Sequence, residues 1–348
     1  MLPEIIKYLA TAGQCAPSAD NSQPWQFYWD GEYFTIQLTE NNSGIHSLEK
    51  DHPAMILSLG CVTENILQAL EFIGKSHIKP DFLPDQLAVR FKVIGEDYLY
   101  EPKKQDNNHP LFFRHTNRFP FKKIELSSTI KTNLLQLSKV EAKISIFNTK
   151  AEINFWAELI KQASQLRFQS PDIHEWLGSS LRLSETAALS NDGLDAKTLD
   201  LPPGGKLLLS FTKPWPRMNL FNHIGLYKLF SMVESMQIKK TGGLICITAP
   251  LSIKGIFHAG ILMERAWIYL NHNELSVHPY YVLSDQIYRF YEDKVPTNLI
   301  PDIAKIVDII EKKGFGKTNH LQIIFRVGIA TKNPPLSRRH KATVIQLN

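Results

Sequence analysis

A ten-residue segment near the start of the chain, 16–25, carries side chains suited to holding a small ligand. It reads APSADNSQPW, so Ser, Asp, Asn and Gln crowd between two prolines. These short polar groups hydrogen-bond nearby backbone or a ligand placed against it. The flanking residues predict a short helix over 3–13 and a strand that starts at Trp25. Such a loop suits the edge of a flat heteroaromatic ring, and it equally suits an ordinary helix-to-strand connection.

A second segment, 109–121, places basic and hydroxyl side chains between aromatic ones. It reads HPLFFRHTNRFPF and precedes a Ser127-Ser128 pair that predicts the start of a helix running to about Leu137. Its polar members are Arg114, His115, Thr116 and Arg118.

Composition and charge narrow the function classes. The 348 residues carry a formal charge of +5, spread along the chain, which does not by itself imply nucleic acid and would suit an anionic cofactor. Cys15, Cys61 and Cys246 are far apart, so we expect reduced thiols in a cytoplasmic protein. The N-terminus is too short and polar for a signal peptide, and no uninterrupted apolar run reaches the roughly 18 residues of a membrane span. Dinucleotide, P-loop, hydrolase and zinc-protease motifs are missing, so no other chemistry competes. The twelve histidines are scattered, so no metal site is expected.

The hydrophobic pattern predicts a mixture of helices and strands. A hairpin is expected over 25–38 around Asp30-Gly31, and a long helix is expected from 51 to about 73. Further expected strands are 87–95, 143–147, 243–248 and 321–330, and further expected helices are 150–169, 174–189 and 260–270. Residues 41–50 and 98–108 are expected as polar loop and linker. The stretch 195–240 interrupts the alternation of predicted helices and strands, and its length predicts a lid, a binding loop or a poorly ordered connector.

A weak internal repeat relates two predicted helices at an offset of 200 residues. The identical pairs are Ile56/Ile256, Gly60/Gly260, Glu64/Glu264, Leu70/Leu270 and Ser76/Ser276. Because glycine costs a helix about 1 kcal/mol relative to alanine, a shared glycine predicts close helix contact at that point. The repeat suggests two related halves about a pseudo-twofold axis, with chance similarity between amphipathic helices as the alternative.

Three segments together carry a resemblance to a known family. Arg114–Phe119 resembles the Arg-x-Ser/Thr-x-Arg-x-Phe signature of the nitroreductase family of flavoproteins, although its aromatic position is displaced by one residue. Ala16–Trp25 resembles that family's Ala-Pro-Ser-x-x-Asn-x-Gln-Pro-Trp segment almost residue for residue. Ser337-Arg338-Arg339 resembles the basic site near the family's C-terminus.

The order of these motifs is unusual and resembles the Acg-type subgroup, in which one chain mimics the family's dimer and holds a single FMN beneath a lid. The resemblance implies an α+β, nitroreductase-like fold built as a pseudo-dimer. Its halves would be 1–108 and 109–348, each a mixed or antiparallel sheet with flanking helices, with a lid insert at about 195–240.

The resemblance also implies roles for individual residues. The FMN phosphate would contact Arg114, Arg118, Thr116, Arg338 and Arg339, and His115 would lie beside the ring or the phosphate. The flavin ring would lie against Pro17, Ser18, Ala19 and Asn21. The segment His278-Pro279-Tyr280 stands where the family has backbone donors near the reactive flavin nitrogen, and it equally suits the start of a strand with a packed tyrosine. Gln23 and Trp25 would hold the loop rather than touch flavin. Four side chains of the insert could cover the ring, belong to a surface helix packed on the core, or form a partner-binding face: Trp215, Met218, Phe221 and Tyr227.

The function implied is electron transfer from a reduced nicotinamide, NAD(P)H, or another donor through FMN to a nitroaromatic or quinone-like acceptor. No catalytic acid or base is assigned, because in the family the flavin stacks directly on each substrate. The alternatives are a non-catalytic protein that binds or sequesters FMN beneath its lid and, third, an interaction module without flavin. The expected partner is a small-molecule substrate, without nucleic acid or membrane, and the chain is expected as a monomer or homodimer.

Overall fold

The protein is described here by a computed structural model that covers residues 2–39 and 48–347. Most of the polar loop predicted over 41–50 lies outside these residues.

Helices occupy about half of the described chain and vary from one turn to five turns. In chain order they are α1 (Glu4–Gln14), α2 (Pro53–Phe72), α3 (Ser128–Gln136), α4 (Lys150–Arg167), α5 (Pro171–Ser180), α6 (Glu185–Ala188), α7 (Gly205–Thr212), α8 (Trp215–Asn222), α9 (Leu226–Lys239), α10 (Ile253–His272), α11 (Val282–Tyr291) and α12 (Ile300–Lys312).

The strands are mostly short. They are β1 (Trp25–Trp29), β2 (Tyr33–Leu38), β3 (Pro80–Leu83), β4 (Ala88–Lys92), β5 (Phe121–Lys122), β6 (Lys143–Phe147), β7 (Leu181–Arg182), β8 (Leu194–Asp195), β9 (Gly243–Ala249), β10 (Ser276–Tyr280), β11 (His320–Ala330) and β12 (Val344–Gln346). The predicted α+β class is confirmed.

Two larger sheets organise these strands. The first has the order β12-β1-β2-β4-β3, in which β12 pairs parallel with β1 and the other pairs are antiparallel. The second has the antiparallel order β10-β11-β9-β6, and β5 also pairs with β11. The C-terminal strand therefore completes the sheet formed by the first hundred residues, so the chain crosses back over the predicted boundary at 108/109.

Helices α2 and α10 form the centre of the molecule. Each runs for twenty residues and begins at a side-chain cap: His52 Nδ1 accepts from Ala54 N at 3.2 Å, and Ser252 Oγ accepts from Gly255 N at 3.1 Å. Sixteen of the twenty residues of α2 are buried. Among the described residues, α2 is the one helix long and apolar enough to span a membrane, but 89% of its apolar window is buried inside the protein. The apolar composition of α2 is therefore explained by its place in the core.

The two helices cross in direct backbone contact at the glycines that the internal repeat singled out. A Cβ added to Gly60 would lie 2.2 Å from the carbonyl oxygen of Phe257. A Cβ added to Gly260 would lie 2.2 Å from the carbonyl oxygen of Leu57. Phe257 and Leu57 are themselves 200 residues apart, so the contact is reciprocal. The predicted close contact at this glycine pair is confirmed.

One helix prediction for the second half of the chain is wrong. The single helix expected over 174–189 is divided, because α5 ends at Ser180 and is followed by β7, which pairs with β8, and by the one-turn α6. The insert over 195–240 is largely helical and contains α7, α8 and α9. Gly204 and Gly225 adopt positive φ values of 78° and 90° directly before α7 and α9, so they mark helix boundaries rather than a loop.

The crossing generates a prediction for stability. Replacement of Gly60 or Gly260 by alanine should lower the free energy of unfolding by about 1–3 kcal/mol or more, since each new methyl group meets rigid backbone. Gly316→Ala is the matched control, because its nearest neighbour would be a Glu311 side-chain carbon at 3.8 Å. Denaturant midpoints of the three variants test this. Equal midpoints for Gly60→Ala and Gly316→Ala would contradict the close crossing.

Candidate functional site

Twelve of the thirteen residues predicted to bind the cofactor border one cavity of about 1180 Å³. They come from four separate segments of the chain: Pro17, Ser18, Ala19, Asn21, Arg114, His115, Thr116, Arg118, His278, Pro279, Tyr280 and Arg339. Arg338, which the structure also describes, lies outside this lining. Its backbone oxygen instead accepts a hydrogen bond from Asn21 Nδ2 at 2.9 Å.

The loop after α1 is held by hydrogen bonds among its own side chains. Ser18 Oγ accepts from the backbone nitrogen of Gln23 at 2.8 Å, and Gln23 Oε1 accepts from Gln14 Nε2 at 2.7 Å. Trp25 Nε1 donates to Gln14 Oε1 at 3.2 Å. These bonds stabilise the positive φ values of Asp20 (44°) and Gln23 (51°). The supporting role predicted for Gln23 and Trp25 agrees with this geometry.

The segment 114–118 is fastened to α10 and β10. Asn271 Oδ1 accepts from His115 N at 2.9 Å, and Trp267 Nε1 donates to His115 O at 3.1 Å. Asn117 N donates to Val277 O at 2.8 Å, beside a short bridge between Thr116 and Val277. Asn271 and Trp267 were not predicted as site residues, because nothing in the local sequence links them to positions some 150 residues earlier.

Arg114 is already engaged by protein groups. Its Nε lies 2.7 Å from Glu264 Oε1, with only 2% and 0% of the two side chains exposed. Its Nη2 donates to Cys15 O at 2.8 Å, and its guanidinium stacks over the Trp267 ring at 4.6 Å. Arg114 thus connects α10, the 114–118 segment and the end of α1. The structure gives it a supporting role in addition to its place in the cavity lining.

Arg118 and Arg339 are the less committed cations of the cavity. Across residues 2–39 and 48–347, no carboxylate oxygen lies within 4.0 Å of either guanidinium. Arg339 Nη2 donates to Cys15 O at 3.4 Å, while its Nη1 is buried without a hydrogen-bond partner in the described chain. Burial and the neighbouring Arg114 lower the pKa of Arg339 to about 10, which leaves it charged at neutral pH. Burial also lowers the pKa of Arg118, and the nearby Asp20 carboxylate opposes that shift.

His278 adds a neutral polar group beside these cations. Burial and then the charges of Arg326 and Arg118 hold the pKa of His278 well below its ordinary value. Its ring contacts the Tyr280 ring at a centroid distance of 4.4 Å, and its Nδ1 has no hydrogen-bond partner among the described residues. A buried neutral imidazole offers one donor and one acceptor to a ligand.

The insert supplies an apolar wall, although not through the side chains named from the sequence. The cavity is bordered here by Leu208, Leu209, Leu229, Phe230 and Val233. The side chains suggested from the sequence were Trp215, Met218, Phe221 and Tyr227, and all four lie outside the lining that the structure describes. Met218 is fully buried, the Trp215 ring contacts His174 and the Phe221 ring contacts Phe211. The contact with His174 joins the insert to α5, and the contact with Phe211 joins α8 to α7 within the insert.

Comparisons with known proteins give one relative of low sequence identity and two solved structures of limited similarity. No family model matches the chain. The chain is 22% identical over 349 residues to the uncharacterized protein MT1398 of Mycobacterium tuberculosis (strain CDC 1551 / Oshkosh), an alignment that covers 95% of this chain and 46% of the relative. The chain therefore spans less than half the length of the curated relative it matches.

Two solved structures of nitroreductases share a limited similarity with the chain. One is the structure of a nitroreductase with bound FMN from Desulfitobacterium hafniense DCB-2. It is 10% identical to this chain, the alignment covers 69% of this chain and 99% of the other, and the TM-score is 0.36. The other is a point mutant of the FMN- and NADPH-dependent nitroreductase NfnB from a Sphingopyxis strain, with 10% identity, 68% and 94% covered, and a TM-score of 0.33. At these TM-scores the similarity carries no argument about this chain.

The buried carboxyl of Glu264 generates a pH prediction. Burial raises its pKa from 4.5 to about 7, with Arg114 and Arg339 opposing the shift. The stability linked to this group is present below about pH 4.5 and is lost as pH rises through about 7. Glu264→Gln mimics the protonated acid and does not titrate. Between about pH 5 and about pH 8 the free energy of unfolding of the parent should therefore fall relative to that of the variant.

The measurement is denaturant unfolding of both proteins across that pH range. Glu71→Gln, at an exposed carboxylate, is the control and should follow the parent. Parallel profiles for the parent and Glu264→Gln would show that Glu264 stays ionised throughout.

Proposed function

We propose that the chain binds one FMN noncovalently and works as a nitroreductase-like oxidoreductase. The observation that carries this proposal is the convergence of twelve separately predicted residues on one cavity. Its volume of about 1180 Å³ exceeds the roughly 300–1,000 Å³ of common ligand pockets, so a cofactor and part of a substrate fit together. When bound, FMN would accept electrons from a reduced nicotinamide or another donor and pass them to a nitroaromatic or quinone-like acceptor.

Arg339 and Arg118 suit the phosphate end of the cofactor. Guanidinium groups match phosphate oxygens with paired, charge-assisted hydrogen bonds. Keeping cations buried without carboxylate partners is costly, and a bound dianion would offset that cost. Arg114, already paired with Glu264, would hold the neighbouring segment in place and add its field to the site.

The loop 17–21 and the end of β10 suit the ring end of the cofactor. Asn21 Oδ1 is buried without a hydrogen-bond partner in the described chain, while its Nδ2 is used by the Arg338 carbonyl. Asn21 can therefore accept a hydrogen bond from the edge of a flavin ring. Pro17 and Ala19 would pack against a ring face, and His278–Tyr280 would border its other side.

We further infer that the two halves mimic a dimer fused into one chain, of the Acg type. The reciprocal packing of Gly60 and Gly260 supports this, as do two ion pairs of buried glutamates one turn further along. Glu64 accepts two hydrogen bonds from Arg265, and Glu264 pairs with Arg114. The boundary at 108/109, a cytoplasmic location and a monomeric or homodimeric state remain predictions.

A second candidate function is storage or shielding of FMN without turnover. The observation that favours it is the wall formed by α7 and α9, which borders the cavity over several apolar residues. A nicotinamide must stack on the flavin to transfer hydride, and a closed wall would exclude it. The two functions share the cofactor and differ in whether the insert admits a donor.

The phosphate assignment predicts a loss of FMN affinity in single variants. Arg339→Ala and Arg118→Ala should each weaken FMN binding by about 2–5 kcal/mol, because a buried charged contact is lost. Arg114→Ala should weaken binding similarly and should also destabilise the fold, since it leaves the buried Glu264 uncompensated.

Arg338→Ala is the matched control, because Arg338 neighbours Arg339 but lies outside the described lining. Titration of FMN by fluorescence quenching measures all four variants. An Arg339→Ala variant that binds FMN as tightly as Arg338→Ala would refute the phosphate site.

The choice between the two functions predicts a different result with each reductant. An oxidoreductase should show a flavin absorbance band that bleaches on anaerobic addition of NADPH or NADH. A storage protein should bleach with dithionite and not with either nicotinamide. If no band appears after incubation with FMN, both functions are refuted.

A further inference from the structure

The outer surface of the insert is both apolar and basic. We define the lid helices as residues 204–240, which include α7, α8 and α9. Eight of the twenty-one large apolar side chains that are exposed in the described chain lie in this short segment: Leu207, Phe211, Leu220, Ile224, Leu229, Met232, Val233 and Met236. Ile224 is 80% exposed, Leu207 76% and Leu220 66%. Exposed apolar residues normally occur singly, so this concentration indicates a contact surface.

The charge of the lid helices is as uneven as their apolar exposure. They contain six cations, all exposed: Lys206, Lys213, Arg217, Lys228, Lys239 and Lys240. Their one carboxylate, Glu234, is tied to Arg167 and Ser164 of α4. This segment therefore accounts for the whole formal charge of +5, and the rest of the chain is balanced. The charge is concentrated rather than spread along the chain.

We propose that the lid helices dock on the surface of an anionic lipid bilayer. Short helices with exposed Leu, Ile, Phe and Met side chains, accompanied by Lys and Arg, lie in the interface of membranes. In the described part of the chain, none of the six cations forms a salt bridge within 4.0 Å, so all are available to lipid phosphates. Docking of this kind needs surface helices only and requires no membrane-spanning helix.

The docking face is continuous with the cavity. Leu229 and Val233 are each nearly half exposed and also border the cavity. Met232 and Met236 extend the same stripe of α9 at helical spacing. A bilayer that covers this stripe would therefore lie beside the apolar wall of the cavity, so docking and access to the cavity would take place at the same helix.

The positive charge of the lid helices favours a membrane over a second copy of the chain as the partner of this surface. Self-association through this face would bring six cations of each copy together, which is unfavourable. Anionic lipid supplies the opposite charge, at about 1 kcal/mol for each nearby Lys or Arg. The observations thus favour lipid over a symmetric dimer.

The test is co-sedimentation of the full chain with vesicles. Vesicles of phosphatidylcholine with one-third phosphatidylglycerol should bind the protein, pure phosphatidylcholine vesicles should bind it weakly, and added salt should release it. The double variant Leu220→Glu/Ile224→Glu should lower the partition coefficient at least about tenfold, since two apolar anchors become anions. Leu99→Glu/Val140→Glu, at equally exposed positions outside the lid helices, is the matched control and should partition as the parent does.

Three results would overturn the proposal. The first is failure of the parent to bind anionic vesicles, and the second is equal loss of binding in both double variants. The third is a parent that dimerises through this face without lipid, shown by sedimentation velocity of parent and variant. Circular dichroism of the variants checks that they fold. Because sedimentation is read without reference to flavin, a failure of the FMN proposal would remain separately visible.

Discussion

The crossing of α2 and α10 is the contact on which the site depends. With no side chain at Gly60 or Gly260, the two backbones approach as closely as atoms allow. One turn further along each helix lies a glutamate that is completely buried, and each of these meets an arginine. Glu264 is the one that reaches the cavity side, where it pairs with Arg114. The helix crossing therefore positions the carboxylate that positions the 114–118 segment.

The same arrangement explains the electrostatic state of the cavity. Arg114 contacts Glu264, the Cys15 carbonyl and the Trp267 ring, so its charge is largely compensated by groups of the protein. Arg339 shares the Cys15 carbonyl and forms no salt bridge among the described residues, and Arg118 lies in the field of Asp20. At this end of the cavity three arginines face two carboxyl groups, those of Glu264 and Asp20, and such an excess of cations is suited to an anionic ligand. This imbalance comes from the placement of side chains and is independent of the mild net charge of the chain.

The parts of the fold and of the candidate site that could be predicted from the sequence are those with a local motif or an internal repeat. The motif residues lie in short local segments that can be recognised in the sequence, and the structure brings twelve of them to one cavity. The paired glycines predicted the helix crossing because glycine is costly in a helix. The Arg114–Glu264 pair joins residues 150 positions apart, and no local pattern specifies it. Helices in the insert were one of several alternatives, because Gly204, Pro214, Pro216 and Gly225 interrupt the pattern of the sequence. In the structure these residues stand at helix ends. The return of β12 to the first sheet was missed because a three-residue strand has no periodicity to detect.

The insert combines weak packing with a defined attachment. Helices α7 and α8 each contribute a single fully buried residue, Thr212 and Met218. Helix α9 is attached more firmly, since Glu234 bonds to Ser164 and Arg167 on α4. Segments with few buried contacts open at lower free energy than the core. Opening should therefore begin at α7 and α8, with α9 as the fixed edge. The residues that wall the cavity and those that face outward belong to the same helices, so a surface that binds the outer face must also change the stability of the wall.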